Sequence, residues 1–324
     1  MKVYLVLRKP SLEFNSIEKV FTTLYPYIEY ELIVLPNSSN GWIKRIKNIL
    51  FLLKYRNELI HISGHDHYLL TFSIFKKCIL TIHDIEGMHR LSGWKNLVFR
   101  LFWIKFPIKN AMAVTTISNF VKNEILNLKL KNTHIKVIHN PLTLKMEFSP
   151  KPLSKNSKVR ILQIGTKPNK NVERLIEALN GLNVVLVIVG KLSENQLKLL
   201  ALNKLDYISL SNLSNKELIR EYEKSDIITL VSTYEGFGLP IIEAQSIGRP
   251  VLTSRIASMP EVAGKGAMLI DPYSVVEIRE GILKIIKDDN YREKIISLGK
   301  KNIEQYEIEI IAKEYARLYD LCER

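Results

Sequence analysis

The chain predicts an α/β fold of two Rossmann-like domains, each built on a parallel sheet, and three observations carry that expectation. Its 324 residues suffice for two domains of about 150 residues each. Short apolar runs alternate with helix-period segments through both halves. Between the halves, residues 141–158 are rich in Pro, Ser and Lys and lack periodicity, as an interdomain linker does.

Taken in order, the first half offers strand-like runs at 3–7, 31–35, 58–62, 79–82, 112–116 and 135–138. The second offers 159–164, 184–189, 207–210, 227–231, 250–253 and 267–270. Helical patterns lie between most of them, and repeated strand–helix units imply open parallel sheets. Ligands of such sheets sit beyond the carboxyl ends of the strands, so functional residues should follow strands. Two such domains facing each other would form a cleft.

Composition is that of a globular protein, with 46% hydrophobic and 25% charged residues. No apolar run reaches about 18 residues, the length a spanning helix needs. The opening Met-Lys-Val-Tyr-Leu-Val-Leu-Arg is too short and strand-like for a signal peptide. Cys78 and Cys322 lie far apart with no metal-ligand neighbour at a familiar spacing, which fits a reducing cytoplasm. The net charge of +14 is uneven: residues 1–150 hold 21 Lys and Arg against 10 Asp and Glu, and residues 151–324 hold 26 against 23. The basic excess of the first half implies an anionic partner there, such as a membrane surface, an anionic glycan or lipid, or nucleic acid.

Residues 232–250 read Ser-Thr-Tyr-Glu-Gly-Phe-Gly-Leu-Pro-Ile-Ile-Glu-Ala-Gln-Ser-Ile-Gly-Arg-Pro. A buried strand, a two-glycine loop and Pro240 at a helix start leave several backbone N–H groups unpaired and aimed one way, ready for an anion. Glu235 and Glu243 bracket that turn and can accept hydrogen bonds from sugar hydroxyls. Phosphate donors and hydroxyl acceptors in one place suit a sugar nucleotide. The stretch resembles the family-4 retaining glycosyltransferases of the GT-B type, whose signature is Glu, seven residues, Glu around Gly-Phe-Gly-Leu-Pro. The match continues through Arg249-Pro250-Val251 and Met259-Pro260-Glu261-Val262-Ala263-Gly264.

The resemblance implies a nucleoside diphosphate sugar donor, of UDP or GDP type, and a glycan or lipid-linked acceptor. It implies a first domain at 1–145 for the acceptor, a second at 146–305 for the donor, and a helix within 306–324 packing back on the first. Glu243 would accept from the ribose, and Glu235 would meet the donor sugar near the amides of Gly236, Phe237, Gly238 and Leu239. Gly165, Thr166, Lys170 and Asn171 would form the diphosphate loop, with Gly190 and residues 207–210 near the base. His83, following the fourth strand, would touch the donor sugar, making Glu235, His83 and Lys170 the catalytic candidates. Asp84 would support that loop or His83, and Ser118 would cap a helix. Two departures stand out. Many members place Arg where this chain has Thr166, with Lys167 as a substitute charge. Many carry Gly-Gly after the first strand, where this chain has Arg8-Lys9-Pro10 and then Ser16, a candidate cap for the next helix.

No cofactor or metal is expected, because the Asp-x-Asp triplet of the GT-A architecture is absent. His61, His65, Asp66 and His67 read as a loop on the acceptor side rather than a metal site. Two stretches concentrate cations among apolar residues. Residues 42–56 place Trp42, Ile46, Ile49, Leu50 and Leu53 on one helical stripe, and residues 94–109 are rich in aromatics. Both suit an anionic membrane surface or core-facing helices with solvated lysines. The expected setting is cytoplasmic, peripheral at the inner face of the cytoplasmic membrane, in bacterial surface polysaccharide or lipid-linked glycan synthesis. Nucleic acid is the weaker partner. A DNA-modifying glucosyltransferase, a GT-B nucleotide-sugar epimerase and a catalytically silent GT-B scaffold are the alternatives.

Overall fold

The computed structural model describes residues 2–9, 16–130, 134–153 and 157–323, without the side chain of Ser16. Pro10 and the cap expected from Ser16 lie outside the described residues. The chain divides into two compact units, Met1–Thr143 with Glu307–Arg324, and Leu144–Tyr306.

The first unit holds β1 (Val3–Leu7), β2 (Glu31–Val34), β3 (Leu59–Ile62), β4 (Lys77–Ile82), β5 (Ala113–Thr116) and β6 (Ile135–Val137). They pair in parallel in the order β2-β1-β3-β4-β5-β6. The second unit holds β7 (Val159–Ile164), β8 (Val184–Val189), β9 (Tyr207–Leu210), β10 (Ile227–Leu230), β11 (Val251–Ser254) and β12 (Met268–Ile270). They are parallel in the order β12-β11-β10-β7-β8-β9. Every strand falls on a run expected from the sequence. The reason is local: β8 is Val-Val-Leu-Val-Ile-Val, the continuous apolar segment that a parallel strand covered on both faces requires. Both sheets have the doubly wound Rossmann-like form. Counted within its own unit, the second has the strand order 6-5-4-1-2-3 and the first 2-1-3-4-5-6. In each sheet the order reverses beside its first strand, and the loops at that reversal open outward at the carboxyl ends.

Helix Ile308–Glu323 belongs to the first unit and buries Ile311, Tyr315, Leu318, Tyr319 and Cys322 along one stripe. The Tyr319 hydroxyl meets His61 Nδ1 at 2.7 Å, and His61 Nε2 meets the Thr81 hydroxyl at 2.7 Å, joining this helix to β3 and β4. Cys78 and Cys322 are buried free thiols. No helix among the described residues is long and apolar enough to cross a membrane.

The stretch 94–109 departs from an ordinary helix. It runs as Gly93–Phe99, then a π-helical turn over Arg100–Lys105, then Phe106–Asn110. A π turn advances fewer degrees per residue than an α turn, so aromatic and basic positions do not segregate at the α period. Phe99 and Trp103 pack on the first unit's core and Ile104 is buried within it, so this half of the stretch is core-facing.

Candidate functional site

β7 is followed by Gly165, whose φ of 89° suits glycine. A Cβ there would lie 2.9 Å from Lys170 Cε, because the lysine chain crosses directly over the glycine. After the single turn Pro168–Lys170, Asn171 adopts the left-handed conformation and starts helix Val172–Leu179. Its buried amide donates to the carbonyls of Val231 (3.0 Å) and Pro272 (2.7 Å). That one side chain ties the β7 loop to the chain leaving β10 and β12.

β10 is the neighbour of β7 across the strand-order reversal, so the two loops emerge side by side. Thr233 N–H donates to the Asn169 carbonyl at 2.8 Å, and Asn169 Nδ2 donates to the Tyr234 carbonyl at 3.0 Å. Glu235 Oε1 accepts from Lys170 Nζ at 2.6 Å and from the Ser232 hydroxyl at 2.7 Å. Both charged side chains are mostly covered. The Ser258 hydroxyl donates to the carbonyls of Glu235 (2.8 Å) and Phe237 (2.9 Å), bracing the turn around Gly236. Phe237 is buried edge-on against Tyr306. Gly238 has φ 102°, and helix Leu239–Ser246 follows with Pro240 in its first turn.

Glu243 is one turn into that helix and buried, its Oε2 accepting from the Tyr222 hydroxyl at 2.6 Å. Burial first, then the Glu243 charge, pushes the Tyr222 hydroxyl well above the ordinary tyrosine range, so it stays a donor. Thr166 replaces a cation with a packing role. Its hydroxyl donates to the Lys191 carbonyl at 2.7 Å. It also sits where a Cβ on Gly190 would come within 2.9 Å of it.

The second unit thus brings Gly165, Lys170 and Glu235 together, places Asn171 and Thr166 as braces, and sets Glu243 against Tyr222. Ser232, Ser258, Asn169 and Tyr222 had no assigned role in the sequence. Ser232 stands only three residues before Glu235, but the others lie 21 to 65 residues from the groups they hold, and no spacing rule reaches that far.

In the first unit, His83 directly follows β4 and is buried. Its Nε2 donates to the Ser63 carbonyl at 2.7 Å. Burial lowers its pKa to about 3, so the ring is neutral at pH 7 with its lone pair on Nδ1. Asp84 accepts from the Glu86 N–H at 3.1 Å and lies 3.6 Å from His65 Nε2, so it faces His65. His67 is buried with Nδ1 donating to the Trp103 carbonyl at 2.9 Å. Ser118 caps helix Asn119–Leu126 by accepting from Val121 N–H. Beyond β1, where many family members carry Gly-Gly, Arg8 Nη2 donates to Glu18 Oε2 at 3.1 Å.

Two family models match the chain between them from residue 3 to 302: Glycosyltransferase Family 4 over residues 3–145 and Glycosyl transferases group 1 over residues 145–302. An uncharacterized glycosyltransferase of Methanocaldococcus jannaschii is 23% identical over 91% of this chain and 87% of its own. The O-antigen chain mannosyltransferase RfbU of Salmonella typhimurium is 25% identical over 78% of this chain and 76% of its own. Anabaena Alr3699/HepE, solved in complex with UDP-glucose, superposes with a TM-score of 0.82 at 17% identity, covering 99% of this chain and 100% of that one. That likeness speaks for the fold. With both families matched in sequence order and each parallel sheet in place, the chain is a GT-B glycosyltransferase and belongs to the family 4, group 1 glycosyltransferases.

Proposed function

We propose that the chain moves a sugar from a nucleoside diphosphate sugar, of UDP or GDP type, to a hydroxyl of a glycan or lipid-linked acceptor, with retention at the anomeric carbon. The setting is the cytoplasmic side of a bacterial membrane, in surface polysaccharide synthesis. The observation that carries this reading is the Lys170–Glu235 pair, 2.6 Å apart at the outward loops of the second sheet. It offers a cation for a diphosphate and a carboxylate for a sugar hydroxyl at one point. The O-antigen mannosyltransferase relative and the UDP-glucose bound to the structural neighbour support the same chemistry.

In this reading the acceptor oxygen bonds to the anomeric carbon as the bond from that carbon to the phosphate oxygen breaks. The acceptor proton passes to the departing diphosphate. Lys170, the Gly165 loop and the start of helix Leu239–Ser246 offset the charge that builds on the leaving group. Glu235 holds the ring through its hydroxyls, and Glu243 holds the ribose. The second unit takes the donor, with the base toward Gly190 and 207–210. The first unit takes the acceptor.

Donor turnover in the wild type against Glu235→Ala is the test. Transfer should fall at least about a hundredfold, the scale for losing one transition-state partner, while the fold and nucleotide binding persist. Undiminished transfer would remove Glu235 from the site. The same assay reads metal dependence: turnover should persist in EDTA, and a complete loss that manganese restores would overturn a metal-free reaction.

A further inference from the structure

Helix Trp42–Leu52 faces the wrong way for a core helix. Asn48 and Leu52 are its fully buried side chains. The Asn48 amide donates to the Asn37 carbonyl (3.0 Å) and the Tyr68 hydroxyl (3.0 Å). Four apolar side chains point outward, with Trp42 61% and Ile43 72% exposed and Ile46 and Leu50 more than half exposed, while Ile49 of the sequence stripe is partly buried against the core. At about 100° per residue these four span an arc of about 100° roughly opposite Asn48 and Leu52. Exposed Lys47 and Lys44 follow on one side of the arc and Arg45 flanks the other.

The neighbouring rod extends this face. The Trp42 ring lies 6.5 Å edge-on from Phe102, and the Arg45 guanidinium sits 4.6 Å over Trp103. Thr71 bonds the Phe102 carbonyl, and the next residue, Phe72, is exposed. Trp94 and Leu97, on the helix entering the π turn, are exposed as well. Residues 42–56 and 94–109 contribute nine Lys and Arg and no Asp or Glu. An exposed apolar patch of this extent marks an interaction surface. Its uniform charge opposes a second copy of the same face and complements an anionic one.

We propose that this face of the first unit lies flat on an anionic phospholipid bilayer. Trp42, Ile43, Ile46 and Leu50 enter the headgroup region, and Lys44 and Lys47 meet lipid phosphates. The reading stands on the first unit alone and rests on no part of the donor chemistry.

Co-flotation of the full chain with vesicles tests it, using phosphatidylcholine alone and phosphatidylcholine mixed with phosphatidylglycerol. Binding should be at least about tenfold tighter to the anionic vesicles and should weaken as salt rises. Ile46→Glu with Leu50→Glu, both at exposed positions, should abolish flotation. Lys44→Glu with Lys47→Glu should lower it about tenfold or more. Tryptophan emission should shift to the blue on binding. A thermal unfolding transition followed by tryptophan emission, unchanged in both variants, shows that the first unit is intact. Equal binding to both vesicle types, or flotation that survives the glutamates, would overturn the proposal. So would lipid-free self-association that Ile46→Glu removes, which would assign the face to a second copy.

Discussion

Single side chains in the second unit are held by partners that make their roles separable. Glu243 is buried, and the Tyr222 hydroxyl fixes one of its oxygens. A buried carboxylate that loses a donor bears the desolvation of that oxygen, about 1–3 kcal/mol. Tyr222→Phe is therefore expected to lower stability by that amount in urea unfolding and to weaken nucleotide binding several-fold, with the fold retained. If both stay at wild-type values, Tyr222 does not orient Glu243. Thr166 shows how a departure from the family pattern is absorbed. Its hydroxyl binds the Lys191 carbonyl and its side chain fits against the Cα of Gly190, so packing has replaced charge at that position. Of the two lysines in the loop, Lys167 and Lys170, the second is already paired with Glu235.

At the scale of elements, the β7 loop depends on Asn171 both as a left-handed residue and as a double donor to the ends of β10 and β12. Asn171→Ala is expected to cost about 2–4 kcal/mol, combining left-handed strain with two lost hydrogen bonds. Asn171→Gly should recover the backbone part only, because glycine accepts φ of 57° but carries no amide. Thermal unfolding of the two variants separates the contributions, and equal losses would mean that backbone strain plays no part. Helix Trp42–Leu52 gives the opposite lesson. Its periodicity shows two faces, but the pattern does not say which one is inside. The polar Asn48 is inside, held by Tyr68 and Asn37.

The two units differ in how they respond to acid. All seven histidines and all three tryptophans precede residue 140, in the first unit. Burial lowers His61 to about 3, His67 to about 4 and His83 to about 3, each below the usual value near 6.5. The unfolded chain therefore binds more protons than the folded one between about pH 3 and 6.5, and stability is lost as pH falls through that window. With three such groups the slope near pH 5 approaches about 4 kcal/mol per pH unit. Urea unfolding followed by tryptophan emission reports on the first unit, and its midpoint should fall steeply below pH 6.5. A flat midpoint from pH 7 to 5 would show that these rings are not neutral and buried.

Much of this molecule is written locally in its chain. The twelve strands among the described residues, the Gly165 turn, the helix start after Gly238 and the cap at Ser118 follow from short-range sterics and apolar runs, which neighbouring residues alone specify. Long-range packing decided the rest. It set the different strand orders of the two sheets and put Lys170 on Glu235 across 65 residues. It also set Tyr222 against Glu243, and it turned four apolar side chains of one helix toward solvent. Such pairings depend on which elements come to rest side by side. Periodicity fixes how a segment folds, and only the assembled sheet determines what each of its faces meets.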